Sequence, residues 1–182
     1  MTTGSLDIIL GPMFSGKTTE LMRRMRRYSA AGKCCLLIKY AEDTRYGVSD
    51  KCYTHDRQTF DAISAVHLLR ISDDFTNVDV IGIDEGQFYP DIVMFCSMMV
   101  LEGKIIIVAA LDGTFQRQPF GSVLQLIPDA DSVVKLNAIC MKCHIRDAPF
   151  SERIQDRTST DIIDIGGKEK YMAVCRRCYT LK

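Results

Sequence analysis

Residues Gly11–Thr18 read GPMFSGKT, which fits the phosphate-binding loop pattern G-x-x-x-x-G-K-[ST]. The segment before it, Leu6–Leu10, is short and apolar like a buried strand, and a helix is predicted from Lys17 to Ala31. Backbone N–H groups and a helix N-terminus attract phosphate in this strand–loop–helix context. The alternative, a chance glycine turn, does not explain the flanking strand and helix.

The loop pattern predicts roles in nucleotide binding for two side chains. Lys17 is predicted to reach the β- and γ-phosphates, and the Thr18 hydroxyl to bind Mg²⁺. A second apolar strand ends in Asp84-Glu85, as a Walker B strand does. Asp84 is then expected to serve Mg²⁺, and Glu85 to act as a general base on a hydroxyl or water. A solvated cap at a helix entry is the alternative for this acidic pair.

The rest of the pattern predicts an α/β fold. Near-continuous aliphatic segments alternate with helical ones, which indicates a P-loop (RecA-like) parallel sheet with helices on both faces. The polar segment Ala41–Gln58 is predicted to be a loop. The further strands predicted are Cys34–Tyr40, Val78–Ile83, Lys104–Leu111 and Ser132–Ile139, and the further helices are Asp91–Glu102 and Gly121–Ile127.

Length and charge narrow the class of protein. The 182 residues suit one domain with a small appendage, and acidic and basic residues balance at 23 each. This balance disfavours a partner that is a nucleic acid or an anionic membrane. No signal peptide is visible in Met1–Asp7, and the longest aliphatic run, Ile105–Leu111, is too short to span a bilayer. We expect a soluble intracellular protein.

Four of the eight cysteines form two C-x-x-C pairs. Two such pairs can complete a tetrahedron of thiolates, which predicts a closed, structural Zn²⁺ site rather than a catalytic one. Thioredoxin-like redox chemistry is the alternative. We expect a P-loop kinase domain over residues 1–138 and a small zinc-ribbon domain over 139–182. The predicted zinc ligands are Cys140, Cys143, Cys175 and Cys178, and the scattered cysteines are Cys34, Cys35, Cys52 and Cys96.

Long segments of the chain resemble the type II thymidine kinases of poxviruses and of the cellular cytosol. The resemblance runs from Leu6 to Tyr179. It is carried by Gly11–Arg24 (GPMFSGKTTELMRR), Ile38–Tyr46 (IKYAEDTRY), Thr54–Arg57 (THDR), Ile81–Val93 (IGIDEGQFYPDIV), Val108–Arg117 (VAALDGTFQR) and, between the cysteine pairs, Ile165–Tyr171 (IGGKEKY).

The resemblance implies an activity and its partners. It implies transfer of the γ-phosphate of Mg·ATP to the 5′-hydroxyl of thymidine, or of deoxyuridine, with Glu85 as the base and Zn²⁺ as a structural ion. The product, thymidine monophosphate, enters nucleotide salvage for DNA synthesis. The resemblance also implies feedback inhibition by thymidine triphosphate, a homotetramer and a cytoplasmic location, in the host cell if the source is viral. Neither a nucleic acid nor a membrane is an expected partner.

It also implies individual binding residues. ATP would contact Gly11, Pro12, Met13, Phe14, Ser15, Gly16, Lys17, Thr18, Asp43 and Arg45, with Mg²⁺ at Thr18 and Asp84. Thymidine would contact Met13, Phe88, Leu111, Phe115, Phe120, Ser151 and Tyr171, together with a lasso loop formed by Ile162, Ile163, Asp164, Ile165 and Gly166. The lasso would hold the base edge through its backbone, and zinc would anchor the ends of the interval that contains it.

The predicted helix Asp91–Glu102 has two apolar stripes. Ile92, Phe95 and Met99 form an ordinary core stripe, whereas Met94, Met98 and Leu101 form a second one. We expect the second stripe to lie in a subunit contact. A loosely exposed methionine surface is the alternative.

Two other functions compete with nucleoside phosphorylation. One is a P-loop kinase with a zinc-bearing lid that acts on a nucleoside monophosphate, but such a lid needs arginines and the lasso has few. The other is an ATP-dependent zinc-ribbon module that binds nucleic acid, which the neutral net charge disfavours.

Overall fold

The structure is a computed structural model, and it describes residues 3–43, 51–53, 59–154 and 165–180. Within these ranges the sequence forms alternating strands and helices with three short 3₁₀ segments. The elements are β1 (Ser5–Leu10), α1 (Lys17–Ala30), β2 (Cys35–Tyr40), β3 (Lys51–Tyr53), β4 (Thr59–Ala65), β5 (Val80–Ile83), α2 (Ile92–Leu101), β6 (Ile105–Ala110), β7 (Ser132–Lys135), β8 (Ala138–Ile139), β9 (Asp147–Ala148), β10 (Phe150–Arg153), β11 (Tyr171–Val174) and α3 (Arg176–Thr180). The 3₁₀ segments are Leu69–Phe75, Gly86–Phe88 and Val123–Asp129.

One large sheet organises the described part of the chain, with strand order β3-β4-β2-β5-β6-β1-β7. All neighbouring pairs are parallel except β3–β4, which is antiparallel. The strand β6 lies between β1, which leads into the phosphate loop, and β5, which leads into Asp84. Because the strands are parallel, both motifs emerge at the same carboxyl edge of the sheet.

Both faces of the sheet are covered, which explains why its central strands β5 and β6 are apolar throughout. On one face, Met22 and Met25 of α1 pack in a cluster with Ile9 and Ile107. On the other face, α2 and the 3₁₀ segments pack in a larger cluster. Each fully buried side chain of this size contributes about 1.5–3 kcal/mol. The predicted P-loop α/β sheet with helices on both faces is therefore confirmed.

Two strands of the large sheet were missing from the prediction. β4 pairs in parallel with β2, and β3 pairs with β4, so a sheet edge lies where the sequence indicated only a loop followed by unassigned residues. The sequence of β4, TFDAISA, mixes polar and apolar residues. It therefore lacks the continuous aliphatic signal of the central strands, and the prediction of a loop throughout Ala41–Gln58 was wrong at Lys51–Tyr53.

The strand predicted over Ser132–Ile139 divides into two. β7 ends at Lys135, the Leu136 N–H donates to the Leu10 carbonyl at 2.8 Å, and β8 then pairs antiparallel with β9 in a separate sheet. The helix predicted over Gly121–Ile127 is a 3₁₀ segment, Val123–Asp129, which contains Pro128. Proline lacks the N–H that a continuing α-helix requires at that position.

The C-terminal region is built from two small sheets, β8–β9 and β10–β11. Its core is small and contains cysteines, namely Cys140 and Cys175 with Ala148, Ala173 and Val174. The division into domains at 138/139 remains a prediction. In the described ranges, no helix combines the length and apolar character needed to cross a membrane.

Candidate active site

The phosphate loop connects β1 to α1, and its glycines permit the conformation of its backbone. Gly16 precedes α1 with φ 83°, a left-handed conformation that glycine adopts without a Cβ clash. A Cβ at Gly11 would lie 2.6 Å from the Leu136 carbonyl oxygen, so only glycine fits there. Lys17 is buried, and its Nζ donates to the Pro12 carbonyl at 2.9 Å. The ammonium group of Lys17 therefore lies against the loop, and its contact with the phosphates stays a prediction.

Thr18 and Asp84 meet across the carboxyl edge of the sheet. The Thr18 hydroxyl lies 3.1 Å from Oδ1 and 3.0 Å from Oδ2 of Asp84, although 66 positions separate the two residues. Asp84 is only 7% exposed. A hydroxyl beside a carboxylate is the oxygen donor set that Mg²⁺ prefers. These two residues therefore fit the metal role expected of them.

Glu85, which directly follows Asp84, has an unusual backbone conformation. It adopts the left-handed conformation, with φ 54° and ψ 43°, directly before the 3₁₀ segment Gly86–Phe88. This backbone is uncommon for a residue with a side chain, and such residues cluster at functional sites. Asp84 consequently bonds to Thr18, whereas a Glu85 carboxylate oxygen accepts from the Gln87 side chain at 2.7 Å. The two adjacent carboxylates therefore have different hydrogen-bond partners.

The residues predicted to surround thymine form two groups of contacts. Phe88 packs edge-to-face on Phe120, with ring centroids 5.5 Å apart, and stacks on Tyr40 at 4.9 Å. In the second group, the Arg153 guanidinium lies 5.2 Å from the Phe115 ring centroid, and Arg153 pairs in register with Tyr171. Phe120 and Tyr171 are both buried.

Met13 and Ser151 lie at the junction of the phosphate loop and β10. The Met13 N–H donates to the Ser151 hydroxyl at 3.0 Å. Leu111 is also tied to the site, because its N–H donates to the Gln87 side chain at 2.8 Å. The sequence reasoning missed Tyr40, Gln87 and Arg153. Tyr40 and Gln87 lie inside the segments that carry the resemblance, so that signal could have indicated them.

Part of the predicted site lies outside the described residues, namely Arg45 and the lasso residues Ile162, Ile163 and Asp164. Asp43 is half-buried after β2, where its N–H donates to the Tyr40 carbonyl at 3.1 Å. The last lasso residues are held by Lys170. Its Nζ donates to the Ile165 carbonyl at 3.1 Å, and its stem packs beside the buried Gly166.

The four paired cysteines converge. Sulfur atoms of Cys140, Cys143, Cys175 and Cys178 lie within 4.8 Å of one another, and those of Cys143 and Cys175 are 4.0 Å apart. Zn–S bonds of about 2.3 Å imply sulfur–sulfur distances of about 3.8 Å in a tetrahedron. All four thiols are free rather than disulfide-bonded. The cluster therefore fits the predicted zinc site in ligand type, number and spacing.

The surroundings of these thiols favour thiolates at two positions. Burial opposes ionisation of Cys140, but backbone N–H groups of Cys143, Cys175 and Lys142 outweigh it and lower its pKa to about 6. Backbone N–H groups of Ile145 and Arg146 lower the pKa of Cys143 as well. The neighbouring Cys175 side chain raises the pKa of Cys178 to about 12, since charges accumulate on adjacent sulfurs. A divalent cation would offset that accumulation.

Comparison with known proteins agrees with this geometry. A family model described as thymidine kinase matches residues 4–179. The thymidine kinase of Vaccinia virus (strain Ankara) is 54% identical over 179 residues, which cover 98% of both chains. That of Raccoon poxvirus is 55% identical with the same coverage. The cytosolic thymidine kinase of Homo sapiens is 55% identical over 181 residues, covering 100% of this chain and 75% of the human protein. Because the family model matches residues 4–179 and these relatives are 54–55% identical over nearly the whole chain, this chain belongs to the thymidine kinase family.

Proposed function

We propose that this protein transfers the γ-phosphate of Mg·ATP to the 5′-hydroxyl of thymidine, and also of deoxyuridine, giving the monophosphate for DNA precursor synthesis. Membership of the thymidine kinase family supports this reaction. The observation that supports the mechanism is that the adjacent residues Asp84 and Glu85 bond to different partners. One acid meets the phosphate loop at Thr18, while the other is held separately and is positioned to take a proton.

The phosphate loop binds the donor. Backbone N–H groups of residues 14–18 and the N-terminus of α1 surround the phosphates, and Lys17 contributes a positive charge. Asp43 and Arg45 assist from the segment after β2. Thr18 and Asp84 would hold Mg²⁺, which when bound neutralises phosphate charge. These residues act by positioning and charge rather than by covalent chemistry.

Glu85 accepts the proton of the 5′-hydroxyl as that oxygen attacks phosphorus. A carboxylate suits this task if it is fixed in place and is not itself a metal ligand. Its left-handed backbone turns it away from Asp84, and the Gln87 amide holds one of its oxygens. The other oxygen is the one we assign to the substrate.

The acceptor base is bound by apolar rings and by backbone groups. Aromatic side chains supply contact area, and a closed pocket rejects purines by size. The residues assigned to this pocket are Met13, Phe88, Leu111, Phe115, Phe120, Ser151 and Tyr171, with the lasso Ile162–Gly166 at the base edge. Zinc at the four cysteines would fix the region that carries Tyr171 and the lasso.

A panel of acceptors tests the reaction and the substrate together. The chain is incubated with Mg·ATP and either thymidine, deoxyuridine, cytidine, a purine nucleoside or a nucleoside monophosphate, and products are separated chromatographically. Thymidine monophosphate is the expected product. Conversion of a monophosphate without any from thymidine would replace this proposal with a nucleotide kinase. Addition of thymidine triphosphate should lower the rate, which is the feedback that we propose.

We also propose that the chain is a cytoplasmic homotetramer. Support comes from α2, where Met94 is 62% and Leu101 88% exposed, an unusual exposure for large apolar side chains on one helix. Met98, predicted on the same stripe, packs instead against the core. Changing Met94 and Leu101 together to glutamate should reduce the mass measured by light scattering. An unchanged mass would remove this contact from the proposal.

A further inference from the structure

Gln87 is a buried polar side chain between two parts of the candidate site. It is 4% exposed, and its amide makes two hydrogen bonds. Nε2 donates to Oε2 of Glu85 at 2.7 Å, and Oε1 accepts from the Leu111 N–H at 2.8 Å. One small side chain therefore joins the proposed base to the loop that follows β6.

The chemistry of the two partners determines how the amide is oriented. A backbone N–H can only donate, so it requires the amide oxygen, and an ionised carboxylate can only accept, so it requires the NH₂ group. Rotating the Gln87 amide by half a turn would lose both bonds. The Leu111 N–H thereby holds the amide with its donor directed at Glu85.

The backbone of Gln87 is held as tightly as its side chain. On one side, a Cβ at Gly86 would lie 2.6 Å from Val108 on β6. On the other, a Cβ at Gly121 would lie 2.3 Å from the Gln87 carbonyl oxygen, which brings the two backbones into close approach. The next residue, Phe88, packs on Phe120. The turn therefore cannot shift without disturbing β6 and the loop with the pocket residues.

We infer that Gln87 is a positioning residue for the phosphoryl transfer. It fixes the Glu85 carboxylate by donating a hydrogen bond to it, and it couples that carboxylate to Leu111 of the proposed thymine pocket. This inference rests on the proposed function, because it assumes Glu85 as the base. Variants of Gln87 leave the charged residues Lys17, Asp43 and Asp84 unchanged.

Two substitutions test the two hydrogen bonds of the Gln87 side chain separately. Gln87→Glu keeps the shape and an acceptor for the Leu111 N–H but removes the donor to Glu85, whereas Gln87→Met removes both bonds. The measurement is the kinetic profile, namely kcat and the KM values for thymidine and ATP, at one fixed pH. We expect kcat to fall about tenfold or more in both variants, the scale of one hydrogen bond to a charged group. In Gln87→Glu, which keeps the bond to Leu111, KM for thymidine should change less than kcat.

Matched controls exclude a general loss of structure. Gln125 is exposed on the 3₁₀ segment Val123–Asp129, and Gln125→Met and Gln125→Glu should leave the profile unchanged. Thermal melting reports whether each variant folds, and KM for ATP should stay within about twofold, since donor binding is not involved. If Gln87→Met does not fold, the comparison of kcat between Gln87→Glu and Gln125→Glu tests the inference.

A kcat within about twofold of the unaltered chain in both Gln87 variants would overturn the inference. Failure of the proposed function would look different, because the unaltered chain would then form no thymidine monophosphate. An active chain whose kcat does not respond to the Gln87 substitutions leaves the reaction in place and removes only the role of Gln87.

Discussion

The hydroxyl of Ser151 accepts a hydrogen bond from the backbone N–H of Met13, with 3.0 Å between oxygen and nitrogen. Ser151 lies on β10 of the C-terminal region and is 6% exposed, whereas Met13 belongs to the phosphate loop. The bond spans 138 positions of the chain. It gives the region that carries the four-cysteine cluster a direct connection to the phosphate loop.

Changing Ser151 to alanine should loosen this connection. The buried Met13 N–H would lose its acceptor, at a cost of about 1–3 kcal/mol in the free energy of unfolding. Urea denaturation measures this loss, and KM values for ATP and thymidine should both rise. Ser122→Ala is the control, since that side chain makes no capping hydrogen bond. Equal stability of the two variants would contradict the prediction.

Changing Glu85 to glutamine should abolish the base while preserving the shape of the site. We expect turnover to fall by roughly 10²–10⁴-fold, the usual scale for a general base. ATP and thymidine should still bind, as measured by calorimetric titration. Glu102→Gln, on the exposed end of α2, serves as the matched control. Near-normal turnover of Glu85→Gln would require another base.

Changing Thr18 to valine removes the hydroxyl beside Asp84 and keeps the side-chain shape. The carboxylate then loses the hydrogen bond from Thr18, and one oxygen ligand is lost from the proposed Mg²⁺ site. The rate should fall about tenfold or more, and a higher Mg²⁺ concentration than in the unaltered chain should be needed to saturate it. Thr19→Val changes the exposed neighbour and should have little effect. The same dependence on Mg²⁺ in both variants would count against a metal at Thr18.

Removing the zinc ligands should affect thymidine binding as well as stability. Tyr179, next to Cys178, donates through its hydroxyl to the Phe115 carbonyl at 2.8 Å, so the cysteine cluster supports a pocket residue. Cys175→Ser should lose the bound zinc measured by elemental analysis, lower the melting temperature and raise KM for thymidine. Cys34→Ser, an exposed thiol outside the cluster, is the control. Zinc retained at full stoichiometry in Cys175→Ser would contradict the assignment.

A pH-dependent contribution to stability should come from Glu20 on α1. Hydrogen bonds from Arg23 at 2.6 and 2.7 Å, with weaker help from Arg24, lower the pKa of Glu20 from 4.5 to about 2. A lowered carboxyl pKa stabilises the folded chain above the unfolded value and loses that effect as pH falls towards the folded value. Because water screens this pair, Glu20→Gln should cost only about 0.5–1 kcal/mol at pH 7.

The difference for Glu20→Gln should shrink from about pH 5 downwards, following the lowered pKa. Urea denaturation at pH 7, 4 and 3 measures it, with Glu102→Gln as the control for loss of an exposed carboxylate. A difference that is constant over this range would show that the ion pairs of Glu20 do not contribute.

Local patterns were sufficient to predict the central elements of the fold. A glycine loop between an apolar strand and a helix, aliphatic strands that alternate with helices, and two cysteine pairs are all short-range signals. They indicated β1, α1, β5, α2 and β6 within a residue or two at most boundaries. They did not indicate β4, because an outer strand of mixed composition has no such signal.

The sequence by itself therefore determined which residues are candidates for the chemistry, namely Lys17, Thr18, Asp84, Glu85 and the four paired cysteines, since those residue types and spacings are local properties. Only the tertiary structure decided which groups meet. The order of strands in the sheet brings Thr18 to Asp84, and the close approach of backbones at Gly86 and Gly121 sets Gln87 between Glu85 and Leu111. These contacts depend on how distant segments pack, and packing leaves no periodic trace in the chain.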